Sequence, residues 1–211
     1  MMRPVKPSPK PRQQVDRDAR RQSLVDAARD LFAQKGYHAT TVDDITRAAG
    51  VAKGTFYLYF TEKREVYYEV VRAFMNLIKD IGGQVGDDPG NMVEFMTRAE
   101  AAAHKLMGVF MENRELARLA YRESMGLDSE LEAMVNRFYR EIAEVEANNI
   151  RTAIALGVLR DDIDPLLVAY SHIGIVERVL LALAETPDDF PPPDVVVRQM
   201  MTVAFEGLRK R

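Results

Sequence analysis

Residues 31–66 read LFAQKGYHATTVDDITRAAGVAKGTFYLYFTEKREV, and this stretch decides the fold of the N-terminal part of the chain. A helix that precedes it ends at Lys35, because a cation suits a helix C-terminus and Gly36 tolerates the left-handed backbone that follows. A second helix begins after Thr41, a good N-cap residue, and carries Asp44 in its electropositive first turn. The stretch therefore predicts two helices joined by a short connection.

A tight turn follows the second helix at Gly50, where a residue with a Cβ would be strained. A third, short helix is predicted over about residues 52–59. Apolar residues stand at the positions that hold two such helices together: Ile45, Ala49, Val51, Phe56 and Tyr59. Thr46 occupies the place where close approach of the helices favours Ala, and it is small enough to fit. The pattern predicts a helix-turn-helix over about residues 41–60.

Helical periodicity continues on both sides of this motif, from Asp18 to the end of the chain. No segment alternates with a period of two for long enough to form a sheet, so the predicted fold class is all-α. The helices outside the motif are predicted at about 18–35, 61–82, 91–112, 114–124, 129–156, 164–185 and 192–209. The glycines at residues 82–86 follow a helix rather than a strand, which predicts a loop or hinge and not a phosphate-binding loop.

Residues 31–66 closely resemble the DNA-binding domain of the tetracycline-repressor (TetR) family of bacterial transcriptional regulators. The residues that carry the resemblance are Gly36-Tyr37, Thr41-Val42, Ala49-Gly50-Val51, Lys53-Gly54-Thr55-Phe56-Tyr57, Tyr59-Phe60 and Lys63. Thr46 departs from the Ala that is usual in the family, and Leu58 stands at a variable position. The resemblance is strong over about residues 18–78, and the remainder matches only in its helix pattern.

The resemblance implies a three-helix N-terminal DNA-binding domain and a C-terminal helical domain for ligand binding and dimerisation. We expect a flexible basic tail over residues 1–16, a DNA-binding domain over 17–64 and a regulatory domain over 65–211. The third helix would enter the major groove by its N-terminal end. The predicted DNA-contacting residues are Thr40, Thr41, Lys53, Gly54, Thr55, Tyr57, Leu58, Tyr59 and Lys63. Thr41 could act as an N-cap as well, and Tyr59 also suits the domain core.

Charge is distributed unevenly along the chain. Residues 1–64 hold 13 Lys/Arg against 7 Asp/Glu, whereas residues 65–211 hold 16 against 25. A basic head on an acidic body suits a protein that presents one end to nucleic acid, although chance surface composition would look the same.

The last two helices carry more apolar surface than one helix face can bury. Residues 166–184 are apolar almost all round, so one face is expected on the domain core and another on a second copy of the chain. The alternative is a single thick core. The predicted homodimer interface consists of Leu167, Tyr170, Gly174, Arg178, Leu181, Val196, Met200 and Val203.

The middle helices are rich in Met and aromatic side chains, which adapt to apolar ligands. Simple core packing is the alternative for each of these residues. An unidentified small-molecule effector would then be bound by Phe95, His104, Met107, Met111, Arg118, Tyr121, Arg122, Met125, Phe138 and His172.

Several classes of protein are disfavoured by the composition. The chain has no Cys, which excludes disulfides and thiolate metal sites, and its three His residues are far apart, so neither a metal nor another cofactor is expected. No run of apolar residues is long enough to span a membrane, and no secretory signal is visible, so a cytoplasmic location is expected. No nucleophile elbow or strand-linked glycine loop indicates an enzyme.

The sequence thus predicts a ligand-responsive repressor that binds a pseudo-palindromic double-stranded DNA operator as a dimer. An activator would use the same DNA contacts. The other alternative is a ligand-binding or scaffold module with a non-DNA partner, which leaves the residues of the helix-turn-helix unexplained. The operator, the regulated genes and the effector are not encoded in any motif.

Overall fold

A computed structural model describes the backbone of residues 12–123 and 129–206 and the side chains of 16–118 and 129–206. These residues form α-helices and connecting turns without a β-strand. The helices are α1 (Arg12–Lys35), α2 (Val42–Ala48), α3 (Lys53–Phe56), α4 (Lys63–Gly83), α5 (Met92–Glu112), α6 (Arg114–Glu123), α7 (Ser129–Ala155), α8 (Pro165–Glu185) and α9 (Pro193–Glu206).

The chain divides into two compact units, one ending at Val70 and the other beginning at Val71. The boundary predicted after residue 64 thus lies six residues before the observed one, and helix α4 is continuous across both, as predicted for a helix over about 61–82. The N-terminal helix also begins earlier than predicted, since residues 12–16 of the expected tail already belong to α1. Residues 1–11 lie outside the described part of the chain.

The first unit is built around α2 and its two ends. Thr41 Oγ1 accepts a hydrogen bond from the Asp44 backbone N–H at 3.2 Å, and the Asp44 carboxylate accepts one from the Thr41 N–H at 3.0 Å. Lys35 at the end of α1 pairs with the same carboxylate at 2.7 Å. Gly50 closes α2 with a φ of 67°, as the turn requires. Thr46 is buried, and its hydroxyl donates to the Asp43 carbonyl at 3.2 Å.

A compact apolar core joins α1, α2, α3 and the first turns of α4. Its fully buried side chains include Leu24, Ala28, Phe32, Ile45, Phe56 and Val66. The third helix is shorter than predicted: α3 covers only Lys53–Phe56, and residues 57–59 continue as a turn.

The second unit is a helical bundle in which α7 and α8 make the most extensive contact. One apolar cluster includes Phe95, Ala147, Ile150 and Ala169, and another includes Met107, Leu183, Val196 and Val197. The loop after α4 packs tightly on α7, because a Cβ at Gly86 would lie 2.5 Å from Asn149 Oδ1 and 3.3 Å from Asn149 Cα.

Helix α8 leaves an apolar face uncovered. Leu167 is 68% exposed, and Tyr170 and Ile175 are also exposed. Among the described helices, Pro165–Glu185 is the one that is long and apolar enough to cross a membrane by length and composition, which alone is weak support for a span. The prediction from sequence excluded a span because charged and polar residues interrupt this segment.

Candidate functional site

A surface of exposed side chains runs along α3 and the turn that follows it. We define this recognition surface as Lys53, Gly54, Thr55, Tyr57 and Leu58; Thr55 is half-buried and the other four residues are exposed. Leu58 is 70% exposed and Tyr57 is 54% exposed, which is costly for apolar groups unless a partner covers them. Gly54 has open space where a Cβ would point, so the backbone is accessible there.

The charged group of the recognition surface is held by α2. Lys53 Nζ lies 2.8 Å from Asp43 Oδ1, and both side chains are more than half exposed. The hydrogen bond and the charge of Asp43 raise the pKa of Lys53 above its usual value. Lys53 is therefore a fully protonated cation that already has a counter-ion.

Two residues predicted to bind the DNA backbone have other roles within the first unit. The Thr40 side chain is fully buried, and its hydroxyl donates to the Gly36 carbonyl at 2.8 Å. Lys63 Nζ donates to the carbonyl oxygens of Tyr37 and Thr40, each at 2.7 Å. The prediction that the Thr40 side chain faces DNA is corrected, because that side chain is buried and holds the turn after α1. Lys63 holds the same turn, and its contact with DNA stays a prediction.

Desolvation accompanies this placement of Lys63. Its ammonium nitrogen lies 4.1 Å from the centre of the Tyr37 ring, a cation–π contact. Partial burial lowers the pKa of Lys63 below its usual value.

Thr41 and Tyr59 lie at the edge of the recognition surface. Thr41 is exposed even though its hydroxyl caps α2. Tyr59 is half-buried, and the Arg17 guanidinium carbon lies 5.9 Å from the centre of its ring. Arg17 and Arg20 line a surface depression together with Leu58 and Tyr59.

These two arginines are candidate nucleic-acid contacts that the sequence reasoning missed. Their spacing of three residues is visible in the sequence, but Arg17 lies just before the predicted start of the first helix, and neither arginine was predicted to contact DNA. The folded first unit brings them beside Leu58 and Tyr59, in the turn after α3.

The second unit contains a cavity of about 360 Å³ that is partly open to solvent, since Ile175 and Val203 in its lining are exposed. Its lining is contributed by the second half of α4, by α5 to α9 and by Val85 and Leu159. The residues from α4, α5 and α9 are apolar or glycine, and include Phe74, Ile78, Phe95, Leu106, Met107, Val197 and Phe205. This size and composition are typical of a site for a small, mainly apolar molecule.

Polar groups enter the cavity only from α7 and α8, among the described residues. His172 Nδ1 lies 3.1 Å from Glu146 Oε1, and the Tyr139 hydroxyl donates to the carboxylate of Glu177. Asn149 is buried and donates through Nδ2 to the Gly82 carbonyl at 3.1 Å and to Glu146 Oε2 at 3.3 Å. A polar network thus connects α8, α7 and the last turn of α4.

The predicted ligand-binding residues divide into three groups. Phe95, Met107, Phe138 and His172 line the cavity. His104, Met111 and Arg118 do not line it: His104 is exposed, Met111 packs in an apolar cluster, and Arg118 pairs with Glu115. The side chains of Tyr121, Arg122 and Met125 lie outside the described residues.

The cavity also contains polar residues that the sequence reasoning did not select: Tyr139, Glu146, Asn149 and Glu177. Their common signal is a polar residue on the inner side of a long amphipathic helix. That signal is weak, because the helical period does not tell an inward carboxylate from one at the edge of the buried face.

The predicted dimer-interface residues separate by burial. Leu167, Tyr170, Gly174 and Arg178 lie exposed on α8, and Val203 lies exposed on α9. Met200 is partly buried. Leu181 and Val196 are buried within their own unit, so their assignment to an intermolecular interface is corrected to a core role.

Metal binding finds no support in the described residues, which contain no group of three or more His, Asp or Glu side chains arranged to hold an ion.

Comparisons with known proteins agree with a helix-turn-helix in the first unit. Residues 24–70 match the family model of the bacterial regulatory proteins of the tetR family. The HTH-type transcriptional repressor KstR2 of Rhodococcus jostii (strain RHA1) is 26% identical over 202 residues, covering 91% of this chain and 92% of that protein.

Two solved structures share the fold. SmeT, the repressor of the Stenotrophomonas maltophilia multidrug efflux pump SmeDEF, matches with a TM-score of 0.71 and 22% identity, covering 92% of this chain and 93% of that one. The SmeT–triclosan complex matches with a TM-score of 0.76 and 20% identity, covering 91% and 92%. The predicted all-α fold and the resemblance to TetR-type DNA-binding regulators are confirmed.

Proposed function

We propose that this protein, whose residues 24–70 match the family model of the bacterial regulatory proteins of the tetR family, is a ligand-responsive transcriptional repressor. The observation that carries the proposal is the recognition surface, where Lys53, Tyr57 and Leu58 are exposed on the short helix of a helix-turn-helix. The relatives named as repressors supply the direction of regulation.

The chemistry of the recognition surface suits double-stranded DNA. Lys53 stands at the N-terminus of α3, from which its ammonium can reach a phosphate or a guanine edge. Thr55 can hydrogen bond to a base, and the exposed Leu58 can pack on a thymine methyl group. Thr41, Tyr59, Arg17 and Arg20 flank this surface and are proposed to bind the phosphate backbone.

Dimerisation would set the distance between the recognition surfaces of two protomers on DNA. We place the interface on the exposed face of α8, at Leu167, Tyr170, Gly174 and Arg178, with Val203 of α9. Gly174 has open space at its Cβ position, which permits close approach of a second helix. Two copies would then read half-sites about 34–36 Å apart in a pseudo-palindrome.

The cavity of the second unit is the proposed effector site. SmeT has been solved in complex with triclosan, and the apolar lining of the cavity in this chain likewise suits a small apolar molecule. A ligand can release the operator only if it binds the DNA-free conformation more tightly than the DNA-bound one. The route we propose runs through Asn149 to Gly82, in the last turn of the continuous helix α4.

Neither catalysis nor a resident cofactor is part of the proposal, and the named relatives are regulators of transcription. A protein that binds chromosomal DNA in a bacterium works in the cytoplasm, which is where we place this chain.

A salt-titrated gel shift on the DNA upstream of the protein's own gene tests the proposal. Wild-type protein is expected to retard that DNA specifically, and Lys53→Ala is expected to abolish the shift. Lys105→Ala is the matched control, because Lys105 is exposed on α5 of the other unit. No specific shift on that DNA or on a library of random duplexes would overturn the proposal.

The same operator in front of a reporter gene tests the direction of regulation. Repression predicts higher expression when the gene for the protein is deleted. Lower expression on deletion would show an activator that uses the same DNA contacts.

A further inference from the structure

We infer that the effector is a cationic amphiphile, an apolar body that carries a protonated amine or amidinium group. This inference rests on the proposed function of the cavity as the effector site. Three features of the cavity carry it: the sign of its charges, the positions of its charges and the pairing state of Glu177.

The charged side chains that line the cavity are mainly acidic. The lining contains two carboxylates, Glu146 and Glu177, and one imidazole, His172. It contains no Lys or Arg among the residues that the structure describes there. A carboxylate or phosphate ligand would thus enter an apolar cavity that already holds two acids and offers no permanent cation, an arrangement that the low dielectric makes costly.

The charges lie on one wall. Tyr139 and Glu146 are seven residues apart on α7, which places them on the same face of that helix. Their partners Glu177 and His172 are both on α8. The lining from α4, α5 and α9 is apolar or glycine, so the cavity fits a molecule with one charged end and an apolar remainder.

Glu146 and Glu177 differ in how they are satisfied. Glu146 accepts one hydrogen bond from Asn149 and lies in ion-pair contact with His172. Glu177 accepts a hydrogen bond from the Tyr139 hydroxyl, which is a neutral group. Among the described residues, no cation lies within ion-pair distance of the Glu177 carboxylate. A half-buried carboxylate without a counter-ion is stabilised by a ligand cation, as buried charges in proteins are generally paired.

Glu146 couples binding of the ligand cation to the hydrogen bonds at the end of α4. Its carboxylate shares the Nδ2 group of Asn149 with the Gly82 carbonyl. A ligand ammonium that competes for Glu146 changes the bonds available to Asn149, and with them the contact at the end of α4. Charge recognition and the response of the helix are therefore joined in a single network.

A series of three ligands with the same chain tests the inference: decylamine, decanol and decanoate, below their micelle concentrations at neutral pH. Binding to the full-length protein is measured by isothermal titration calorimetry, without DNA. Decylamine is expected to bind at one site per protomer and about tenfold tighter than decanol, the gain typical of a charge-assisted hydrogen bond, with decanoate weakest.

Two variants show whether the preference arises in the cavity. Glu177→Gln keeps the shape of the side chain and is expected to remove the tenfold preference for decylamine while decanol binding stays the same. Glu144→Gln, an exposed acid on α7 outside the lining, is expected to leave the preference intact. Thermal unfolding of each variant confirms that it is folded.

Decanoate binding tighter than decylamine would overturn the inference, as would a preference for decylamine that Glu177→Gln does not change. A complete lack of binding by decylamine would overturn it as well. None of these outcomes affects operator binding, which the gel shift decides separately.

Discussion

The ammonium nitrogen of Lys63 lies 2.7 Å from the carbonyl oxygen of Tyr37 and 4.1 Å from the centre of the same residue's ring. A single lysine at the start of α4 therefore binds both the backbone and the side chain of Tyr37, in the turn after α1. Since the same ammonium also binds the Thr40 carbonyl, Lys63 is a structural cation of the first unit.

Lys63→Met is expected to destabilise the first unit by about 1–3 kcal/mol, because two carbonyl groups lose a charged donor. The measurement is amide hydrogen exchange in α1 and α2, with Lys105→Met as control. The slope of operator affinity against salt is expected to stay unchanged. A slope reduced by about one unit at unchanged stability would place Lys63 at a phosphate instead.

Asp43→Asn is expected to raise operator affinity by up to about fivefold at low salt, since an exposed ion pair is weak and its removal frees Lys53. Gel shifts at several salt concentrations measure the affinity and a steeper salt dependence. Asp30→Asn is the control, because Asp30 pairs with Arg29 away from the recognition surface. Weaker binding by Asp43→Asn alone would mean that Asp43 orients Lys53 for DNA.

Gly86→Ala is expected to lower the melting temperature of the second unit, because the added Cβ would meet the Asn149 backbone as well as its side chain. Gly108→Ala is the matched control in α5, where nothing lies within 4 Å of the Cβ position. That change is expected to stabilise the helix by about 0.5–1 kcal/mol. Equal melting temperatures for the two variants would contradict close packing of the α4–α5 loop on α7.

Acid is expected to weaken the first unit through Asp44. The Lys35 ammonium, with the backbone and hydroxyl of Thr41, holds the pKa of Asp44 well below its ordinary value of 3.8. A carboxyl whose pKa is lower in the folded state stabilises the fold above its unfolded pKa, and that contribution disappears as the pH falls.

The destabilisation caused by Asp44→Asn should therefore be large at about pH 7 and shrink as the pH falls below about 4. Thermal unfolding of the wild type and of Asp44→Asn at about pH 7 and below about pH 4 measures this difference, with Glu62→Gln as control. A pH-independent difference would show that the carboxylate charge contributes nothing.

Leu167→Asp is expected to convert the proposed dimer into a monomer, because it places a charge in the middle of an apolar interface. Light scattering during size-exclusion chromatography measures the mass. Val93→Asp is the control, since Val93 is similarly exposed on α5, outside the proposed interface. A dimer that survives Leu167→Asp would place the interface elsewhere.

Local signals predicted most of the fold. Thr41 with Asp44, and Gly50 with its positive φ, determine their own backbone geometry, so the limits of α2 could be read directly. The pattern predicted a helix over 91–112, and α5 covers Met92–Glu112, because its caps and apolar face are all within the segment.

The candidate site was less predictable, because its contacts join residues distant in the sequence. Tyr139 meets Glu177 across 38 positions, and Lys63 meets Tyr37 across 26. A periodic pattern shows which face of a helix is buried, but not which neighbour a polar group on that face will meet. For the same reason Lys63 was predicted at the DNA, and Glu177 was not selected.

The pairing of Lys53 with Asp43 has a consequence for how the protein searches a chromosome. Binding to arbitrary sequence is driven by the release of ions from DNA phosphates, and a cation that already carries its own counter-ion gains less from that release. A bacterial genome offers about a million or more competing positions, so a small decrease in affinity for each one leaves many more molecules unoccupied. Asp43 would thus favour rapid departure from wrong sequences, and the proposed contacts of Thr55 and Leu58, which do not depend on charge, would retain the correct sequence.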